Sequence, residues 1–147
     1  MSTPAHDFSS LEGRCVLITG GAGVLAKSFA QAFLSLGAHV ALLDLYAQQA
    51  EAAADELSSA RGGTCLGFGG NALDAASLEA AKLAIEAKLG PVDVLINAAG
   101  GNAPAATTTQ EQLDPAVGME GSFFDLSMDA FDASMRLNLS GTVLPSQ

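Results

Sequence analysis

The stretch VLITGGAGVLA, Val16 to Ala26, decides the fold, because a short apolar run breaks into Gly20, Gly21 and Gly23 and then resumes with helical spacing. A helix entered directly from a strand leaves its first N–H groups without partners, aimed across the turn. Together with the helix dipole, those groups make a place for phosphate. A turn that receives a dinucleotide needs a small residue at three points: where the chain leaves the strand, where backbone approaches the pyrophosphate, and where the helix packs close to the sheet. Read as G-x-x-G-x-x-A, those places fall to Gly20, Gly23 and Ala26. Taken alone, the pattern is equally compatible with a purely structural turn.

Outward from the turn, the chain alternates short apolar runs with longer amphipathic ones. Cys15 to Thr19, His39 to Asp44, Thr64 to Phe68 and Val92 to Asn97 are rich in Val, Ile and Leu, the composition of strands buried on both faces. Between the first two, Leu25, Phe29, Ala32, Phe33 and Leu36 recur at helical spacing, with Gly37 where a left-handed cap would end the helix. Ala50, Ala53, Ala54 and Leu57 form a second stripe, closed by Gly62 and Gly63. A third runs through Leu78, Ala81, Ile85 and Leu89 to Gly90 and Pro91, with Asp74 or Ser77 as its N-cap. Strand and helix in strict alternation predict an α/β domain: a parallel sheet with right-handed crossovers, covered by helices on both faces. The polar, turn-rich segment after Asn97 reads as a surface loop or lid. A final helix starts near Ser127, with Phe131, Met135, Asn138 and Leu139 in register.

A chain of 147 residues with 49% hydrophobic residues suits one domain with its own core. A net charge of −10 with only six Lys plus Arg excludes the basic face that nucleic acid or an anionic membrane requires. Cys15 and Cys65 lie in apolar runs and read as buried reduced thiols. His6 and His39 stand far apart and show no ligand spacing, so no metal site is expected. No signal peptide or membrane span is evident, and the expected location is the cytoplasm.

Context strengthens the turn. The second strand ends in Asp44, where an acid can accept hydrogen bonds from both adenosine ribose hydroxyls and repel a 2′-phosphate. NAD is therefore expected over NADP, and no Lys or Arg occurs from Val40 to Ser59 to greet the extra phosphate. A helix-capping role for Asp44 is the alternative.

The chain resembles the short-chain dehydrogenases/reductases over essentially its whole length. TGGAGVLA is similar to that family's T-G-x-x-x-G-x-G turn, NAAG at Asn97 to Gly100 to its N-N-A-G segment, and NLSG at Asn138 to Gly141 to the N-x-x-G of its fifth helix. AGGNAPAATT and FFDL further resemble the sugar-acid branch typified by D-mannonate oxidoreductase (fructuronate reductase). The resemblance implies a Rossmann-type doubly wound parallel sheet, here incomplete, with four strands in the order 3-2-1-4 and a truncated last helix. It also implies NAD(P)-dependent hydride transfer on a hydroxyl or keto group of a small polar substrate. Gly20 and Gly23 would shape the turn, the Leu25 backbone would lie along the cofactor, and Asp44 would hold the ribose. Asn71, where the family usually has Asp, would accept from the adenine amino group, and the Ala72 N–H would meet the ring. Asn97, Ala98 and Gly100 would line the cofactor path, with Asn97 also tying neighbouring strands. Asn138 would be the catalytic Asn that bends its helix and positions a water in the proton relay.

Two departures lie in the turn. Val24 replaces the second Gly of the family pattern, so any left-handed conformation is expected at Gly23 or Gly21; Ala26 adds a methyl at the helix–sheet contact. A larger departure concerns chemistry, because the family moves the hydroxyl proton with a Tyr activated by a Lys four residues on. The one tyrosine here, Tyr46, is followed four residues on by Ala50. Residues 1–147 are thus expected to be a dinucleotide-binding domain without the family's catalytic part. An uncovered fourth strand would favour self-association or pairing with a full-length relative. The alternative is a non-catalytic nucleotide-binding or partner-associating protein. Epimerases that share TGGAG, and methyltransferases with an acid at the ribose, fit the two later motifs less well.

Overall fold

In the computed structural model, which describes residues 11–61 and 64–147, strands and helices alternate as the apolar periodicity dictates. The order is β1 (Cys15–Thr19), α1 (Val24–Ser35), β2 (His39–Asp44), α2 (Ala47–Arg61), β3 (Cys65–Gly69), α3 (Ala75–Leu89) and β4 (Val92–Asn97), followed by a long loop and α4 (Met128–Met135). The four strands are parallel and lie in the order β3-β2-β1-β4. β3 starts one residue later than its apolar run, and His6, Gly62 and Gly63 fall outside the described residues.

Alternation along the strands divides the core. Val16, Ile18, Val40 and Leu42 face α1 and α2, while Cys15, Ala41, Leu43 and Phe68 face α3. Ala50, Ala53, Ala54 and Leu57 of α2 are buried as expected, and so are Ala81 and Ile85 of α3. α1 corrects the expected stripe: its buried residues are Ala26, Ala30 and Leu34, while Leu25 and Phe29 are 70% and 43% exposed. Nearest the tight turn the face toward the sheet is taken by the small residues Ala26 and Ala30, and leucine is buried there only farther along, at Leu34.

Close approach also governs α2. A Cβ added at Gly67 of β3 would collide with the backbone of Ala50 and Glu51, so α2 lies directly on the strand. At α3, Asp74 accepts the N–H groups of Ala76 and Ser77 as an N-cap, and Gly90, with φ +85°, turns the chain out of the helix. Of the two expected capping residues, Ser77 is used otherwise: its hydroxyl accepts the Asn71 N–H at 2.9 Å.

β4 joins β1 through a bulge, since Cys15 pairs with Val92 but Val16 pairs with Val94. The extra residue, Asp93, accepts the Cys15 N–H at 2.9 Å and pairs with Arg14 at 2.6 Å. Its side chain thereby satisfies a donor at the break in the ladder.

The loop from 98 to 126 is largely exposed and held by its own contacts, among them the Thr109 and Gln110 N–H groups, which both donate to the Gly121 carbonyl. Ser127 caps α4 by accepting the Ala130 N–H. Helical hydrogen bonding then widens into a π turn over Arg136–Ser140, before a last helical turn, Gly141–Val143. The stripe expected on this helix is not buried: Phe131, Met135 and Leu139 are 42%, 49% and 61% exposed. No helix among the described residues is long and apolar enough to cross a membrane.

Two outcomes follow from these contacts. Gly67→Ala should destabilise the fold by about 2 kcal/mol or more, the scale of overpacking against backbone that cannot yield; an unchanged denaturant midpoint would refute the close contact. Asp93's carboxyl is held below its ordinary value, first by the Cys15 N–H and then by Arg14. A carboxylate lowered on folding adds stability above its unfolded pKa and loses it as pH falls through the folded one. Below about pH 4 the parent's melting temperature should fall more steeply than that of Asp93→Asn, and parallel acid limbs would refute the pairing.

Candidate nucleotide-binding site

The chain reverses its direction of travel across the sheet at β1: β2 and β3 are added on one side and β4 on the other. In open α/β sheets ligands bind at the carboxyl ends of the strands beside such a reversal. A cleft of about 350 Å³ lies there, lined among others by Thr19, Gly20, Asp44, Asn71, Ala72 and Gly100. Five residues singled out from the sequence are thus brought together. Gly23, Leu25, Ala98, Asn97 and Asn138 stand around them rather than on the wall.

The glycine turn differs from expectation in where it bends. Gly20 takes the left-handed conformation at φ +63°, Gly23 is extended at φ −70°, ψ 157°, and Gly21 is not left-handed. The expectation that Gly23 or Gly21 would carry it is therefore wrong. The reversal happens immediately after Thr19, so Val24 already sits in helical geometry and suffers no strain. A Cβ at Gly20 would lie 2.8 Å from the Ala98 carbonyl oxygen, and one at Gly21 would lie 2.6 Å from Leu42 Cβ. Gly23 is the N-cap of α1, with no side chain to cap the helix. Leu25, in its first turn, is exposed beside it.

Asp44, at the end of β2, is oriented from two sides. One carboxylate oxygen accepts the Ala22 N–H of the glycine turn at 3.1 Å, and the other accepts the Tyr46 N–H at 3.3 Å. Each oxygen keeps a lone pair for a ligand. Asn71 folds back on itself: its Oδ1 accepts the Leu73 N–H at 2.9 Å, which fixes the turn carrying Ala72 and leaves the amide oxygen one free lone pair.

Across the cleft, the tie between strands is not made by Asn97, as expected. Asn97 Nδ2 donates to Ser146 Oγ at 2.9 Å, and its buried Oδ1 has no partner among the described residues. Thr19 makes the tie instead: its hydroxyl oxygen accepts the N–H groups of both Ala98 and Ala99, each at 3.1 Å. Sequence reasoning gave no role to Thr19, although it stands at the head of the glycine turn. A buried hydroxyl at a strand end followed by glycine was the available signal.

Asn138 lies inside the π turn, so the expected irregularity in its helix is present. Its Nδ2 donates to the carbonyls of Gly101 at 2.6 Å and Ser134 at 2.7 Å, and its Oδ1 accepts the Gly101 N–H at 3.2 Å. A Cβ at Gly100 would come within 2.7 Å of that amide oxygen, so a larger residue there would push the Asn138 side chain aside.

The remaining reactive groups lie elsewhere. Burial pushes the Cys65 thiol up to about 11, and both cysteines are buried and free, so neither is a nucleophile at neutral pH. Among the described residues no cluster of His, Cys, Asp and Glu could hold a metal ion.

Comparison with known proteins extends these observations. An uncharacterized oxidoreductase of Bacillus subtilis, UxuB, is 40% identical over 144 residues, 98% of this chain and 50% of that protein. D-threitol dehydrogenase of Mycolicibacterium smegmatis is 36% identical over 137 residues, 93% of this chain and 46% of that one. The crystal structure of a putative D-mannonate oxidoreductase from Haemophilus influenza with bound NAD superposes with a TM-score of 0.82 at 34% identity, covering 95% of this chain and 51% of that one. The chain spans about half the length of the curated relatives it matches. The family model described as short chain dehydrogenase matches from residue 14 to residue 147, a span that takes in the glycine turn, the Thr19 tie and the Asn138 π turn; this chain belongs to the short chain dehydrogenase family.

Proposed function

We propose that residues 1–147 are the dinucleotide-binding domain of an NAD-dependent oxidoreductase acting on a hydroxyl or keto group of a small polyhydroxylated substrate, a sugar acid or related polyol. The observation that carries the cofactor is Asp44. Its two oxygens are each held by one backbone N–H, which fixes the carboxylate where a ribose diol can donate to both. A carboxylate there also repels a 2′-phosphate, and the sequence from 40 to 59 offers no cation to offset it. When bound, NAD supplies the hydride acceptor.

The chain's own residues bind and orient. Gly20 and Gly23 leave room for the pyrophosphate at the start of α1, whose N–H groups and dipole favour it; the Leu25 backbone lies along it. Asn71 and Ala72 meet the adenine, and Ala98, Gly100 and Asn97 flank the far half. Asn138 holds the loop after β4 and orders a water for the proton relay. The sugar-acid assignment rests on the likeness to a putative D-mannonate oxidoreductase and a D-threitol dehydrogenase. Residues 1–147 hold no Tyr followed four residues on by Lys, because Tyr46 lies two residues beyond the end of β2 and Ala50 stands where an activating Lys would be. NADP, cytoplasmic location and pairing with another copy are subordinate to the cofactor test.

Calorimetric titration decides the matter. The chain should bind NAD more tightly than NADP, and Asp44→Ala should weaken NAD by about tenfold or more, the loss of hydrogen bonds to a charged group. Tighter NADP binding, or an Asp44→Ala variant with unchanged NAD affinity, would return Asp44 to a capping role.

A further inference from the structure

The backbone after β4 is laced along the last helix at three points. Gly101 exchanges hydrogen bonds with Asn138, the Ala103 N–H donates to Ser134 Oγ at 3.1 Å, and the Ala105 carbonyl accepts the Ser127 N–H at 2.9 Å. Residues 101, 103 and 105 thus meet positions 138, 134 and 127, a strap running antiparallel to the helix. Two residues of extended chain advance about 6.6 Å and one helical turn about 5.4 Å. Residues 101 and 103 therefore meet successive turns, at 138 and 134, while residue 105 meets Ser127 at the helix start about two turns away, and Ser134 is the side chain that serves the middle contact. Its own carbonyl also accepts from Asn138, so both upper contacts pass through this residue.

Gly100, at the head of the strap, is part of the cleft wall. It stands at the β4 side, across β1 from Asp44 at the end of β2. A dinucleotide whose adenosine ribose meets Asp44 must carry its second nucleoside toward β4.

We propose that Ser134 is a positioning residue. Its hydroxyl sets where the Gly100 to Asn102 backbone stands, and through that backbone the site grips the half of a dinucleotide beyond the pyrophosphate. This rests on the cofactor reading above and adds a residue that touches no ligand itself.

The test is calorimetric titration of the chain and its variants with NAD and, separately, with ADP, alongside thermal melting. The unaltered chain should bind NAD more tightly than ADP. Ser134→Ala should lose about fivefold in NAD affinity while ADP affinity stays within error, and the melting temperature should fall by no more than the few degrees that one internal hydrogen bond supplies. Ser134→Thr, which keeps the hydroxyl, should restore NAD binding to within about twofold. Equal affinity of the unaltered chain for NAD and ADP overturns the proposal and leaves the cofactor reading standing. So does a Ser134→Ala variant that leaves NAD unchanged, or weakens both ligands alike, or a Ser134→Thr variant no better than alanine. An unaltered chain that binds neither ligand overturns the cofactor reading itself, and the proposal with it.

Discussion

The hydroxyl of Thr19 accepts the N–H groups of both Ala98 and Ala99, and the cleft depends on that pair of hydrogen bonds. β1 and β4 diverge into unrelated segments at this height, one into the glycine turn and the other into the loop. Without a common acceptor, two backbone donors next to the sheet would have no partner. Thr19 is 1% exposed, so water does not replace it. With the segments pinned so closely, the residue after Thr19 has no room for a side chain, and Gly20 takes the left-handed bend. The turn is thus shaped by the neighbouring strand as much as by its own glycines.

The same constraint separates what was legible in the sequence from what was not. Strand and helix order, the α2 and α3 stripes and the Asp74 cap follow from local periodicity, and periodicity is written in the chain itself. Asp44 was legible as well, because a strand end fixes its place. The α1 stripe was misread because Leu25 and Phe29 have the right spacing for a core, whereas the close approach of helix to sheet selects Ala26 and Ala30. Placing the bend at Gly20 required knowing that Ala98 stands above it, 78 positions away along the chain. The Asn97 partner was misplaced for the same reason, since its amide reaches Ser146 on the last turn.

Small residues at Gly67, Ala50, Ala53 and Ala54 bring α2 onto the sheet, while the acidic groups remain at its surface. Asp44, at the end of β2, is held by N–H groups from two segments. Its geometry is therefore coupled to the turn: a change at Ala22 that moved the backbone would reach the carboxylate directly. Recognition of ribose and accommodation of phosphate are in this sense one structural unit.

The π turn at Arg136–Ser140 has a consequence for how the end of the chain is aimed. A π turn holds one more residue than the α-helical turn it replaces, and each helical residue advances the side-chain direction by about 100°. Leu144 and Pro145, downstream of it, lie against α3 beside Leu78 and Ile85. Loss of any one residue from the π turn would relax it to α-helix and swing both away from α3 by about that angle. The length of this segment is therefore under stricter control than its composition: many substitutions there preserve the direction of the following chain, and a single deletion does not.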